Sequence, residues 1–281
     1  MKKLCIGLGQ LNSRDDIEAN FKSIEDQIKE MVSKGATLVA FPEYATYLSQ
    51  RGSKAVAEPM TGAIVTRFRE LAVKYNVTIH NGSFIEIDQD TATQENQYFN
   101  TSLLISNKGD ILAKYRKIHL FDVDIEGGTS FRESDTFSGG NEIVTYNEEP
   151  FCYGFTICYD LRFPDLYRAL SRQGAKLIFA PAAFTLFTGK DHWEALLRAR
   201  AIENQAYIIA PAQFGERPVH KMSFGNSMIV DPWGTVIQRA SDRVCTIVSD
   251  IDLDYLEDVR KRLPSLKNEV DIQTLRVTKN Q

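Results

Sequence analysis

The stretch that decides the fold reads FCYGFTICYDLRFPD and occupies residues 151–165. Its first part is rich in aromatic and β-branched residues, which is typical of a buried strand, and the apolar run ends at Cys158. Polar residues follow, and Pro164 suits the first turn of a helix that continues through Leu166 and Leu170. Cys158 is therefore predicted at the carboxyl end of a strand, where α/β folds bind ligands, and near a helix N-terminus, which favours a thiolate.

Position alone leaves two interpretations of Cys158. Free cysteine is among the most buried residue types and often packs as a small hydrophobe. Cys5, Cys152 and Cys245 lie in apolar, strand-like runs, and core packing is the role we expect for them. A role for Cys158 as a nucleophile depends on chemical partners elsewhere in the chain.

The composition indicates an ordinary globular protein. The chain has 281 residues, 43% of them hydrophobic, and a formal net charge of −4, which argues against nucleic-acid binding. No apolar run reaches the roughly 18 residues of a membrane span, and Lys2-Lys3 precedes no signal-peptide core. Four cysteines in so long a chain do not form a disulfide scaffold. We therefore expect a cytoplasmic protein with reduced thiols and no membrane association.

We expect neither a metal nor a cofactor. The chain has no CxxC pair and no HExxH, and its four histidines are scattered singly. Gly7-Leu8-Gly9 suggests a dinucleotide-binding loop, but Asn12 occupies the position of the third glycine. No acidic residue follows an obvious second strand about 20 residues further on, so we reject that motif.

Hydrophobic periodicity predicts a layered α/β fold. Strands alternate with amphipathic helices, and two hairpins, turning at 107–110 and 231–234, indicate mixed rather than wholly parallel sheets. No repeat or linker interrupts the chain, so we predict one domain over residues 1–281, with a polar tail from about Pro264. The predicted strands are Lys3–Gln10, Thr37–Phe41, Val77–Ile87, Tyr98–Ser106, Ile111–Lys117, Ala175–Pro181, Ala206–Ala210, Met222–Val230, Val236–Gln238 and Cys245–Ile251. The predicted helices are 17–31, 61–75, 164–170, 192–204 (capped by Asp191) and 253–263, and 122–141 is a predicted loop.

Two more residues that can carry chemistry follow predicted strands. Glu43 is the first acid after the strand Thr37–Phe41, and Lys117 ends the second arm of the first hairpin among apolar neighbours. A solvated or helix-capping glutamate and a surface lysine are the ordinary alternatives. Together with Cys158, these residues place a carboxylate, an ammonium and a thiol each at the end of a strand.

At these positions the chain resembles the carbon–nitrogen hydrolase (nitrilase) superfamily. The resemblance covers nearly the whole chain, and within the superfamily it is closest to the branch that contains deaminated glutathione amidase and ω-amidase. The resemblance implies a four-layer α-β-β-α sandwich with two mixed β-sheets. The stretches that carry it are FPE at 41–43, YRKIHL at 115–120, HLFDVD at 119–124, CYDLRFP at 158–164, RARAIE at 198–203 and DPWG at 231–234.

The resemblance implies a catalytic set of Glu43, Lys117 and Cys158, with Glu133 as a second glutamate that fixes Lys117. Hydrolysis of an unactivated amide needs a strong nucleophile, a base that later acts as an acid, and a group that stabilises the oxyanion. Glu43 would take the thiol proton and return it to departing ammonia. Lys117 and the backbone N–H of Tyr159 would stabilise the oxyanion, and water would then hydrolyse the Cys158 thioester.

The implied substrate is a small amide that carries a free carboxylate, either deaminated glutathione or the ω-amide of a dicarboxylate. Arg162 could bind that carboxylate with both arms of its guanidinium or could pair with a neighbouring acid, and both interpretations stay open. The resemblance places Phe184, Thr185, Phe187 and Thr188 at the substrate pocket. We also expect Tyr159 and Arg162 there, because they follow Cys158 directly in the sequence.

Three alternatives remain. A nitrilase or N-carbamoyl amino acid hydrolase would use the same scaffold, and a non-catalytic homologue would keep only the fold. A papain-type pair would join Cys158 to His119 or His192.

The chain departs from its relatives at Gly225-Asn226-Ser227, where they usually carry Gly-His-Ser. Since Asn226 cannot titrate near neutral pH, a different substrate preference is expected.

The resemblance also implies a homo-oligomer, a dimer or larger, whose subunits pair through the helix after Cys158. Apolar side chains on that helix, or on the helix that contains Trp193, would then cover the partner. The first of these helices offers Leu166, Tyr167 and Leu170.

Overall fold

The computed structural model describes residues 3–49, 53–89, 95–124, 130–217, 221–270 and 274. The helices are α1 (Ile17–Ser33), α2 (Ala63–Tyr75), α3 (Pro164–Arg172), α4 (Leu186–Asn204) and α5 (Leu253–Arg262), and 3₁₀ helices occupy Ser53–Val56, Glu133–Asp135 and Cys158–Arg162. The strands are β1 (Lys3–Gln10), β2 (Leu38–Ala40), β3 (Thr78–His80), β4 (Phe84–Gln89), β5 (Asn96–Ile105), β6 (Ile111–Arg116), β7 (Asp122–Asp124), β8 (Ser130–Arg132), β9 (Thr145–Glu148), β10 (Phe151–Phe155), β11 (Leu177–Phe179), β12 (Tyr207–Ala210), β13 (Phe214–Arg217), β14 (Lys221–Phe224), β15 (Met228–Val230), β16 (Val236–Arg239) and β17 (Cys245–Asp252).

Most of these strands form two mixed sheets. The first sheet has the order β17-β1-β2-β3-β5-β4, with β6 also paired to β5, and the second has the order β16-β15-β12-β11-β10-β9. The strands β1, β2 and β3 run parallel in the first sheet, as do β10, β11 and β12 in the second. The outer strands pair antiparallel. Two short hairpins, β7–β8 and β13–β14, complete the described strands.

Three apolar clusters separate four layers. The first contains Phe21 of α1 and Phe68 of α2, packed against the outer face of the first sheet. The second lies between the two sheets and includes Leu8 of β1 and Phe155 of β10. The third joins the second sheet to α3 and α4, and contains Trp193. The predicted four-layer α-β-β-α sandwich with two mixed sheets is confirmed.

The parallel strands are buried on both faces, which explains their continuous apolar sequences. Leu38 and Ala40 of β2 belong to the cluster between the sheets, whereas Val39 between them belongs to the cluster under the helices. In β1 a glycine allows a helix to approach closely, because a Cβ atom at Gly7 would lie 2.6 Å from Sδ of Met31. The carboxyl ends of these strands are therefore fixed on both sides.

The single predicted strand Val77–Ile87 is wrong, because the structure divides it into β3 and β4. The division falls at Gly82, whose φ of +75° lies in the left-handed region. The turn brings Gly82 against the backbone of Pro42, next to Glu43. An apolar run with one glycine did not distinguish a bulge from a chain reversal.

The predicted start of α4 at His192 is also wrong, because the helix begins at Leu186. Thr185 provides the N-cap, and its side chain accepts a hydrogen bond from the backbone N–H of Thr188. The preference for Asp191 as the cap overlooked Thr185, which is an equally good capping residue type.

Three other predictions need correction. The loop predicted over 122–141 contains β7, β8 and a 3₁₀ helix, and the strand predicted over Met222–Val230 is divided into β14 and β15. The strand before Cys158 ends at Phe155, and Cys158 begins a 3₁₀ helix rather than ending the strand. The strands β9 and β13 are not among the predicted strands, and the remaining predicted helices and strands lie within a few residues of their observed bounds.

The side chains proposed to cover a partner subunit are used inside the chain. All four side chains are at most 5% exposed and belong to the third apolar cluster, namely Leu166, Tyr167, Leu170 and Trp193.

Among the residues the structure describes, none of the helices has the length and apolar character that crossing a membrane requires. The single domain stays a prediction, and most of the predicted tail beyond residue 270 lies outside the described residues.

The close approach at Gly82 predicts a specific stability difference. In Gly82→Ala the new Cβ would collide with the carbonyl oxygen of Pro42, whereas at Gly35, which also has positive φ (+93°), no atom lies within 4 Å of it. Gly35→Ala should cost about 1–2 kcal/mol of unfolding free energy from backbone strain alone. Gly82→Ala should cost a further 1–3 kcal/mol or so from overpacking. Equal midpoints of the two variants in urea unfolding would contradict the predicted collision.

Candidate active site

Glu43, Lys117 and Cys158, which are far apart in the sequence, converge on one cavity of about 160 Å³. Glu133 lines the same cavity. The backbone holds each residue at the end of a secondary-structure element. Glu43 follows β2, Lys117 follows β6, and Cys158 begins the 3₁₀ helix after β10. The structure therefore brings together all four residues that the sequence predicted to be catalytic.

Cys158 lies on a strained turn. Its φ is +48°, a left-handed conformation that is uncommon for a residue with a Cβ atom. Its backbone N–H donates to the carbonyl oxygen of Pro181 at 2.9 Å. The fully buried Asp160 fixes the turn, because its Oδ2 accepts from the N–H of Ile157 at 2.8 Å and from the hydroxyl of Tyr115 at 2.7 Å. Such strain occurs at functional turns that expose a nucleophile.

Lys117 is held between two carboxylates. Its Nζ lies 3.0 Å from Oε1 of Glu43 and 2.8 Å from Oε2 of Glu133, and the side chain is 2% exposed. Burial opposes the positive charge, but the carboxylates of Glu133 and Glu43 outweigh it and raise the pKa of Lys117 well above its ordinary value. The ammonium is therefore charged at any physiological pH and fixed in position.

Glu133 is saturated with hydrogen-bond donors. Its Oε1 accepts from the hydroxyl of Tyr44 at 2.9 Å and from Nδ2 of Asn100 at 3.3 Å. Its Oε2 accepts from Nζ of Lys117 at 2.8 Å and from the N–H of Phe121 at 2.7 Å. Burial alone would raise the pKa of Glu133, but Lys117 and these hydrogen bonds lower it below its ordinary value. The carboxylate is thus a permanent anion with no lone pair left for a proton.

Glu43, in contrast, has a place for a proton on the side of the thiol. Its Oε1 accepts from Nζ of Lys117 at 3.0 Å and from Nδ2 of Asn100 at 2.9 Å. Its Oε2 accepts one hydrogen bond, from the N–H of Ala183 at 3.0 Å. The negative charge of this carboxylate also raises the pKa of the Cys158 thiol, which lines the same cavity. A carboxylate in this position can act as a general base toward the thiol.

The thiol of Cys158 is protonated in the resting site. Burial and the negative charge of Glu43 raise its pKa well above the ordinary value, and the opposing effect of Lys117 is smaller. The expectation that a helix N-terminus favours a resting thiolate is therefore wrong, because desolvation outweighs a dipole effect. A nucleophile of this kind needs a base in contact with it.

The histidines do not form a papain-type pair with Cys158. Nδ1 of His119 lies 2.7 Å from Oδ1 of Asp160, and its ring stacks on Phe163. Nδ1 of His192 lies 3.2 Å from Nη1 of Arg162. Neither histidine is among the described residues that line the cavity.

Five of the six residues predicted at the substrate pocket line the cavity, namely Tyr159, Arg162, Phe184, Thr185 and Thr188. The sixth, Phe187, lies outside its lining and is 57% exposed. The guanidinium of Arg162 lies over the ring of Phe184, 5.3 Å from its centroid. Across the parts of the chain that the structure describes, no carboxylate pairs with Arg162, so the neighbouring-acid interpretation finds no support.

Sequence reasoning missed two residues that bind the glutamates. Tyr44, whose φ of +56° is also left-handed, directs its hydroxyl to Glu133. Asn100 lies within the apolar strand β5 and is 1% exposed. A buried amide in a strand was the available signal, since such a group must find hydrogen-bond partners.

Asn226 is not part of the cavity lining. Its Nδ2 donates to the carbonyl oxygen of Phe224 at 2.9 Å, and its Oδ1 accepts from Nε of Arg239 at 2.8 Å. Its effect on substrate preference stays a prediction, and any such effect would be indirect.

Comparison with known proteins identifies the family of the chain. The sequence profile of the carbon-nitrogen hydrolase family matches residues 5–261. The chain therefore belongs to the carbon–nitrogen hydrolase family and is a hydrolase that acts on carbon–nitrogen bonds.

Individual proteins within the family are similar to the chain over most of its length. A deaminated glutathione amidase from Synechocystis sp. strain PCC 6803 is 39% identical over 273 residues, which cover 96% of this chain and 99% of that protein. The crystal structure of the Caenorhabditis elegans NitFhit protein superposes with a TM-score of 0.86 at 34% identity, covering 96% of this chain but only 65% of that one. Saccharomyces cerevisiae Nit3, a member of branch 10 of the nitrilase superfamily, gives a TM-score of 0.82 at 27% identity, with 94% and 95% of the chains covered.

The saturation of Glu133 predicts that its charge cannot be replaced by an amide. In Glu133→Gln one side-chain atom becomes an NH₂ group facing donors, and Lys117 loses a partner in a buried ion pair. We expect a loss of about 3–5 kcal/mol in unfolding free energy and a fall of about 100-fold or more in kcat. Glu142→Gln, at an exposed position, is the matched control. Full activity of folded Glu133→Gln would contradict the predicted role.

Proposed function

We propose that the chain is a thiol-dependent amidase that hydrolyses a small, carboxylate-bearing amide through a Cys158 thioester. The observation that carries the proposal is the division of labour between the glutamates. Glu43 lines the same cavity as the thiol and can accept its proton, whereas Glu133 is saturated and fixes Lys117. Since the thiol is neutral at rest, a base beside it is what makes it a nucleophile.

The proposed acylation moves one proton and one acyl group. Glu43 takes the proton from Cys158 as the sulfur attacks the amide carbon, and the carbonyl oxygen becomes an oxyanion. Lys117 stabilises this oxyanion together with the N–H of Tyr159, which has no acceptor within the described residues. Protonated Glu43 then gives its proton to the leaving nitrogen as the C–N bond breaks.

Deacylation repeats the sequence with water. Glu43, ionised again, takes a proton from water as the oxygen attacks the thioester carbon. Collapse of the second oxyanion breaks the C–S bond, and the sulfur recovers the proton from Glu43. The acid product leaves, and both groups return to their starting protonation states.

The position of Arg162 favours a substrate that carries a carboxylate. It is a cation on the cavity lining that finds no carboxylate partner among the described residues, and Arg binds carboxylates with two parallel hydrogen bonds. Relatives named deaminated glutathione amidase make that compound the first candidate. Its amides are secondary, so the leaving group there would be an amine, whereas the ω-amide of a dicarboxylate would release ammonia as the sequence predicted.

A substrate panel tests the proposed activity. The purified chain would be assayed for ammonia and amine release from deaminated glutathione, α-ketoglutaramate, a nitrile and an N-carbamoyl amino acid. We expect hydrolysis of one of the carboxylate-bearing amides, and a fall of about 10²–10⁴-fold in kcat for Glu43→Gln because the base is lost. A preference for the nitrile or the carbamoyl compound would assign the alternative activities. Full activity of Glu43→Gln would contradict the assignment of the base.

A second test concerns Arg162. Arg162→Gln removes the guanidinium, so we expect kcat/KM for the carboxylate-bearing amide to fall about 10- to 100-fold. The corresponding amide without a carboxylate is the control, and its kcat/KM should be unchanged within about twofold. Equal losses for both substrates would show that Arg162 supports the cavity rather than binding the carboxylate.

A homo-oligomer remains proposed, and Ile202 and Trp233, 48% and 51% exposed, are better candidates for a subunit contact than the buried side chains of α3. Sedimentation velocity can test it, and a monomer would contradict it. All four cysteines are unpaired, which supports a reducing compartment such as the cytoplasm. The proposed mechanism uses no metal, cofactor, nucleic acid or membrane.

A further inference from the structure

Asn100 contacts all three charged residues of the site, Glu43, Lys117 and Glu133. Its carbonyl oxygen accepts from the backbone N–H of Lys117 at 2.9 Å. Its Nδ2 donates to Oε1 of Glu43 at 2.9 Å and to Oε1 of Glu133 at 3.3 Å. The side chain is 1% exposed, and its Oδ1 is buried with no donor among the described residues.

The two carboxylates determine the orientation of this amide. If the group were turned over, Oδ1 would face two carboxylate oxygens at hydrogen-bonding distance, which is repulsive. The observed orientation leaves Oδ1 of Asn100 without a partner, and a buried acceptor without a donor is unfavourable. The contacts to Glu43 and Glu133 therefore outweigh that cost.

We propose that Asn100 is a positioning residue that confines the catalytic proton to Oε2 of Glu43. Together with Nζ of Lys117 it occupies the lone pairs of Oε1, so Oε2 is left to receive a proton. The N–H of Ala183, which donates to Oε2, also interacts with the thiol of Cys158. The inference rests on the proposed function, because it assumes that Glu43 is the base toward Cys158.

The same amide acts with the ammonium of Lys117 to keep the two glutamates from sharing a proton. Carboxylates that approach each other without a donor between them tend to bind one proton jointly, as a dyad. One Asn100 nitrogen with two N–H groups satisfies both carboxylates while adding no charge. Both can then remain ionised around Lys117.

Two variants test the proposal in opposite pH directions. Asn100→Ala removes both N–H groups and makes ionised Glu43 less stable. We expect kcat to fall about 10- to 100-fold with little change in KM and the acid limb of the pH profile to move up by roughly one unit. Asn100→Asp keeps the size but can donate only while it is protonated. Its activity relative to the unchanged protein should therefore decline as pH rises.

Asn204→Ala is the matched control, because Asn204 is also fully buried, donates from Nδ2 to a carbonyl oxygen at 2.9 Å and has an unpartnered Oδ1. It should lower thermal stability without moving the pH profile. Identical pH profiles for folded Asn100→Ala, Asn100→Asp and the unchanged protein would overturn the proposal.

A substrate-independent measurement separates this inference from the proposed function. Alkylation of Cys158 by iodoacetamide, followed by peptide mass spectrometry, reports how readily the thiol loses its proton. If Glu43→Gln leaves the alkylation rate unchanged or raises it, the proposed role of Glu43 as the base fails. If Glu43→Gln slows the alkylation but Asn100→Ala leaves the pH dependence of alkylation unchanged, only the proposed role of Asn100 fails. If Asn100→Ala does not fold, Asn100→Asp provides the same decision.

Discussion

The active site depends on the burial of one ammonium group, that of Lys117, between two carboxylates. Such burial is expensive unless every charged group is hydrogen-bonded as well as paired. The donors that meet this requirement come from both halves of the sandwich. Asn100 lies in the first sheet, whereas Ala183 lies in the segment after β11 of the second. The ion cluster therefore requires the two sheets to pack in a fixed position relative to each other.

The high pKa of the Cys158 thiol is consistent with this cluster. With a neutral thiol, the charges of Glu43, Glu133 and Lys117 sum to one negative unit within this ion cluster. A resting thiolate would add a second, which desolvation makes unfavourable. Transfer of the proton from sulfur to Glu43 moves the negative charge without increasing it. In the proposed mechanism, this transfer activates the nucleophile at a low energetic cost during the reaction itself.

Much of the fold and part of the site could be predicted from the sequence. Apolar runs that end at Phe41 and Cys158 located the ends of β2 and β10 to within a few residues, because strands buried on both faces have continuous apolar sequences. Periodicity did not reveal the reversal at Gly82, which depends on a backbone contact with Pro42. Nor did it reveal Asn100, whose partners are distant in the chain, or the internal burial of the α3 side chains. These features result from tertiary contacts, which local patterns do not encode.

Backbone strain in the chain is concentrated at the same site. Five non-glycine residues among those described have positive φ. Asn76 and Gln205 occupy helix C-caps, where the left-handed conformation is ordinary, and asparagine at position 226 tolerates it. Tyr44 and Cys158 remain, and both line the cavity. Such conformations persist only where surrounding contacts enforce them, so the hydrogen bonds of Glu133 and Asp160 hold both the charges and the strained backbone that presents them.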